Sequence, residues 1–99
     1  MANDPQPAML KLTVSPLARA GERIEAAIDA TNVAETVVSL SAPDTVVISQ
    51  PHTEVAGKGT FQRTIFWTVE HVQSGKPSWV EIAVAAGHIT QMGQCKVVA

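Results

Sequence analysis

The chain has 99 residues, 45% of them hydrophobic and 16% charged, with seven basic against nine acidic side chains and a net charge of -2. That balance excludes a disordered or low-complexity chain, and the length suits one domain with an apolar core. It also argues against nucleic acid or an anionic membrane as partner, because Lys11, Arg19, Arg23, Lys58, Arg63, Lys76 and Lys96 are dispersed singly and leave no positive surplus to neutralise phosphates.

Val, Ile and Thr far outnumber Leu and Met, and β-branched side chains suit a pleated surface better than a helix. A small all-β domain is therefore the first expectation. The lone Cys95 can form no intrachain disulfide and cannot supply a multi-cysteine zinc site. No apolar run approaches the roughly 20 residues of a membrane span, and the polar start Met1 to Pro7 lacks the charged-then-apolar pattern of a signal peptide. The expectation is either a cytoplasmic protein or one domain of a longer chain, with no membrane insertion.

Residues 1–7 read as a linker, since Asn3-Asp4-Pro5-Gln6-Pro7 is polar and interrupted by prolines that hold their predecessors extended. The domain is placed at 8–99. Leu10, Leu12 and Val14 alternate with Met9, Lys11 and Thr13 as a first strand, which Ser15-Pro16 stops. After a turn at Ala20-Gly21-Glu22, Ile24, Ala26, Ile28 and Ala30 line the inner face of a second strand. The Ala and Glu content of residues 17 to 30 makes a helix the alternative there. Thr31-Asn32 breaks the pattern, and Thr36 to Ser41 forms a third strand with Val38 and Leu40 inward. Thr45 to Gln50 is a short edge strand closed by Pro51.

Gly57-Lys58-Gly59 reads as a turn leading into a long strand, Phe61 to Glu70, whose core face carries Phe61, Arg63, Ile65, Trp67 and Val69. Beyond a loop at Ser74-Gly75-Lys76-Pro77 comes the clearest alternation, Val80, Ile82, Val84 and Ala86 inward against Trp79, Glu81, Ala83 and Ala85 outward. Gly87-His88 makes a hairpin turn into a last strand with Ile89, Gln91, Gly93, Cys95 and Val97 on one face. Seven strand-like segments with no helix between them leave no crossover for a parallel sheet, so an antiparallel two-sheet sandwich is the economical architecture.

The order of these segments resembles the bacterial immunoglobulin-like repeats of surface and secreted proteins, from about Leu12 to Val98. The likeness lies in Leu12-Thr13-Val14-Ser15-Pro16, in Gly21 with the alternating apolar positions after it, and in Val38-Ser39-Leu40-Ser41 before a proline-bounded turn. It continues through Val55-Ala56-Gly57, Trp79-Val80-Glu81-Ile82-Ala83-Val84, Ala86-Gly87 and the closing Cys95-Lys96-Val97-Val98. The resemblance implies an immunoglobulin-like β-sandwich of about seven strands, an extracellular or cell-surface location, and neighbouring domains of the same chain as partners. It carries over no catalytic residue.

The residues themselves offer little chemistry. The nine carboxylates lack the close spacing of a calcium loop and read as solvated charges, with Asp44 bonding its own turn backbone. Partner ligands from a neighbouring domain leave a calcium site at a domain junction open. His52, His71 and His88 fit no common zinc spacing. Cys95, on an inward face, reads as a small hydrophobe with an inert thiol. Gly57-Lys58-Gly59-Thr60 leads into a strand and lacks the full spacing of a phosphate loop. No cofactor, no metal and no catalytic set are expected.

Trp67 belongs to the core, while Trp79 and Phe66 point outward on opposite sheets and are the candidate contacts for a ligand or partner. The expected role is a non-enzymatic structural or spacer module, monomeric as an isolated domain. The alternative is a glycan- or protein-binding module of the same fold, acting through Trp79 and adjacent loops or through an edge strand.

Overall fold

A computed structural model describes residues 7–73 and 77–99. Of the expected linker, residues 1–7, all but Pro7, and of the expected loop Ser74-Gly75-Lys76-Pro77, all but Pro77, lie outside the described residues. The described chain forms eight strands and no helix. These are β1 (Met9–Val14), β2 (Leu17–Arg19), β3 (Arg23–Ser41), β4 (Val46–Val47), β5 (Thr53–Thr68), β6 (His71–Val72), β7 (Ser78–Ala86) and β8 (Ile89–Val98).

Six of them join one mixed sheet in the order β1-β3-β7-β8-β2, with β5 along the other edge of β3. β4 and β6 pair separately. Two sequence expectations are thereby corrected. The strand count is eight where seven were expected, and the sheet is mixed because β2 runs parallel to β8. The helical alternative for residues 17 to 30 is also set aside: that stretch is β2, a short turn and the first part of β3.

The 19-residue β3 unites the expected second and third strands. Its register fixes the shape of the molecule. Val14 is paired with Ala26, while Gly93 is paired with Ile82 and Ile82 with Leu40. A Cβ built on Gly93 would lie 2.6 Å from Val14 Cγ2, so residues 26 and 40 stand at the same height in facing layers. β3 must therefore turn back between them, and the sheet curls until its two halves face each other.

The turn falls where the sequence seemed merely to pause. Asn32 takes φ 52°, a left-handed conformation that asparagine tolerates better than most residues. Register shifts against β5 follow at Val33 and Thr36. The bend is stitched by Asn32 N–H donating to Thr60 Oγ1 (3.1 Å) and by the buried Thr36 hydroxyl donating to Ala34 O (3.0 Å).

β5 follows the same path, and here a further expectation fails. Gly57-Lys58-Gly59 is not a turn between strands but part of β5 at the bend. Gly59 takes φ +82°, and a Cβ on Gly57 would meet the Phe61 ring at 3.0 Å. Glycine there lets the aromatic ring lie on the backbone. Arg63, expected on the core face, is instead exposed. Its Nη1 donates to Val55 O (3.0 Å) and Ala56 O (3.2 Å), satisfying carbonyls at the kink, and its Nη2 pairs with Glu54 at 3.5 Å.

The inward alternation read from the sequence is what the core is made of. Ile24, Ile28, Val38, Trp67, Val69, Val80, Ile82, Val84, Cys95 and Val97 are essentially inaccessible. Trp67 closes this core with its one polar atom satisfied, Nε1–H donating to Pro51 O at 3.1 Å. The small β4–β6 pair adds Val46 and Val72 to the same cluster, and Ile48, just after β4, joins them. The β4 turn is closed by Val46 N–H donating to Pro43 O (3.0 Å), where a side-chain bond from Asp44 had been expected.

Gly87-His88 is a two-residue hairpin loop, as read from the sequence. Gly87 has φ +61° and His88 a negative φ, the sign pattern of a type II′ turn.

Candidate functional site

Trp79 stands on the outer face of β7, 55% exposed, directly across from Lys96 of β8. Phe66 stands on the outer face of β5, 40% exposed, paired with Glu25 of β3. The first belongs to the half of the sheet containing β7 and β8, the second to the half containing β1. The two rings therefore look away from each other and form no shared platform. Phe66 is partly covered, since the Arg23 guanidinium carbon sits 4.5 Å from its ring centroid, a cation–π contact within the chain.

Around Phe66 the surface carries a shallow depression of about 260 Å3 lined by Leu17, Glu22, Arg23, Glu25 and Phe66. A second, of about 360 Å3, lies on the same half where the small Ala27 leaves a dip among Lys11, Thr13, Asp29, Gln62 and Thr64. Both are open to solvent, and neither gathers a nucleophile, a base and an orienting group.

The other candidates are placed apart. His52 Nε2 is hydrogen-bonded with Ile48 O at 2.9 Å, His71 lies on β6, and His88 lies in the hairpin turn at the far end. No group of three or more metal-ligating side chains occurs among the described residues. Glu70 accepts a hydrogen bond from the Ser49 hydroxyl, and Glu22 Oε1 accepts one from Arg19 N–H at 2.7 Å, so both carboxylates fasten loops. Cys95 is wholly buried, and burial pushes its thiol pKa up, the direction that suppresses thiolate chemistry.

Sequence reasoning missed the polar fastening of the segment before β5. Gln50 Oε1 accepts from Thr68 N–H (2.6 Å), Leu40 N–H donates to His52 O (2.7 Å), and Trp67 reaches Pro51. The only sequence signal for it was Pro51 beside two residues with polar side chains.

No protein-family model matches the chain, and no curated protein matches it. Among solved structures it is similar to the crystal structure of the S-layer protein SbsC domains 4 and 5, with a TM-score of 0.51 and 16% sequence identity. That likeness covers 94% of this chain and 54% of the other, so the chain spans about half the length of the structure it matches. At such identity the likeness is one of fold: an all-β domain of the kind found in a surface-layer protein.

Proposed function

We propose that the chain is a non-catalytic, immunoglobulin-like structural or spacer module of a larger bacterial cell-surface or exported protein. The carrying observation is the position of the chain ends. β1 begins at Met9, registered with Thr31 beside the bend of β3, the pole that also holds Gly59 and Gly87-His88. β8 ends at Val98, registered with Arg19, where Ala20 N–H donates to Val98 O and Gly21 N–H to Val69 O. The chain enters at one pole and leaves at the other, so copies joined head to tail extend a line. The fold likeness to a domain of a surface-layer protein supports the same reading, as does a core enclosed by short, fastened connections.

The test is a series of fusions of one, two and three copies through short linkers, measured by small-angle X-ray scattering. A maximum dimension that rises by a constant step per copy supports the spacer reading. A dimension that saturates as copies fold back on each other overturns it. The second reading, a binding module, is favoured by the exposure of Trp79. Reproducible capture of a glycan or protein that Trp79→Ala abolishes in a folded domain would establish it.

A further inference from the structure

We propose that the outer face of β7 and β8 is a self-complementary surface that takes a second copy of this chain, face to face. The inference stands apart from the spacer reading and rests on the register of this one hairpin. Trp79 faces Lys96, Glu81 faces Gln94, Ala83 faces Met92 and Ala85 faces Thr90. Each row joins two residues that complement one another: a ring and a cation, a carboxylate and an amide, a small side chain and a large one, a small apolar side chain and a small polar one.

A twofold axis lying along the seam between the strands brings β7 of one copy over β8 of the other without changing rows. Each Met92 then falls over the partner's Ala83, and each Trp79 ring over the partner's Lys96. Glu81 meets the partner's Gln94, one row from the partner's Lys96, so the charges match in both directions. The alternative twofold, across the strands, reverses the rows and loses these pairings.

The surrounding surface agrees. Among the described residues, three of the seven large exposed hydrophobic side chains lie on this half of the sheet: Val55, Trp79 and Met92. Val55 continues the row of Val37 and Ala85. Met92 is 59% exposed beside Ala83, leaving a knob next to a hollow. Four strands about 4.8 Å apart and four rows of about 6.7 Å give a face on the order of 500 Å2. A standard stable complex buries about 800 Å2 on each partner. The contact is therefore weak between free copies and becomes effective where copies are held close together.

The experiment is a dilution series of the isotope-labelled 99-residue chain, from millimolar to tens of micromolar, followed by backbone amide NMR. Concentration-dependent shifts are expected on β7, β8 and the second half of β3. Met92→Glu places a carboxylate over the partner's Ala83 and weakens association by at least about tenfold, as expected of an unpaired charge in a closed contact. Trp79→Ser is a second lesion with the same expected effect, and the amide spectrum of each variant shows that it is folded. Glu81→Lys weakens association, and adding Lys96→Glu to it restores association. Spectra unchanged on dilution, shifts mapping to the half bearing Phe66, or a Met92→Glu variant that associates like the wild type would each overturn the proposal. So would a double charge exchange that stays as weak as Glu81→Lys, or saturable shifts at Trp79 with an added glycan in a chain that never self-associates.

Discussion

Replacing Gly93 with alanine tests the curled architecture at its tightest point. The new Cβ would stand 2.6 Å from Val14 Cγ2, 3.1 Å from Val14 Cβ and 3.7 Å from Leu12 Cδ2. Ordinary carbon contacts are about 3.5–4.0 Å, so the first overlap is close to 1 Å. Rotating Val14 removes only part of it, because its Cβ is itself too close and its χ1 is stiff. The facing halves of the sheet must then separate locally, and overpacking of that kind costs about 1–3 kcal/mol. Against it stands the gain from a less flexible unfolded chain, about 0.4–1 kcal/mol. The expected net destabilisation is therefore about 1–2 kcal/mol. Urea unfolding followed by tryptophan fluorescence measures it as a lower midpoint at unchanged slope. Val14→Ala removes Cγ2 and leaves only the 3.1 Å contact with Cβ, so in that background Gly93→Ala should cost markedly less, giving a coupling energy of about 1 kcal/mol. If the two substitutions add to within about 0.3 kcal/mol, β1 and β8 do not touch as described and the fold-back of β3 is refuted.

Other expectations follow from single contacts. Trp67→Phe removes the donor that satisfies Pro51 O and part of a fully buried side chain; thermal unfolding should show a loss of about 2–3 kcal/mol. Cys95 should react with a disulfide reagent only as fast as the domain unfolds, and rapid reaction of the native protein would contradict its burial. Its pKa is raised by burial from a usual value of 9.0. The folded state thus favours the neutral thiol, and this contribution is complete below pH 9.0 and declines as pH rises above it; a Cys95→Ala variant should lack that alkaline component of the unfolding profile. Gly87→Ala forces a side chain onto φ +61° in the hairpin turn and should lower stability by about 1–2 kcal/mol, checked by calorimetry.

What the sequence revealed and what it hid divide along one physical line. Period-two alternation is local, and it placed Ile24, Ala26, Ile28, Ala30, Val38, Leu40, Ile65, Trp67, Val80, Ile82, Val84 and Ala86 in the core. Pairing is not local. Thr31-Asn32 and Gly57-Lys58-Gly59 looked like interruptions because their composition is that of turns, yet each sits where β3 and β5 bend together. Thr53 to Ala56 carries no strong alternation and becomes strand through its partner residues 37 to 39. β2 and β6 are too short to signal themselves and exist because β8 and β4 offer them an edge. Arg63 shared the parity of core residues, but the kink carbonyls drew its guanidinium outward. The exposed Trp79 and Phe66 followed from alternation, whereas the cover that Arg23 gives Phe66 depends on a neighbouring strand.

The opposed poles and the directions of the end strands have a mechanical consequence. Tension applied at Met9 and at Val98 draws β1 along its ladder with β3 and β8 along its ladders with β7 and β2. Both end strands are loaded lengthwise, so their hydrogen bonds bear force together and must fail together, where a strand pulled sideways would unzip one bond at a time. Resistance to such a pull is governed by the rate of crossing the unfolding barrier more than by equilibrium stability. A domain wired in this way can be ordinary in a melting experiment and still hold under stretch.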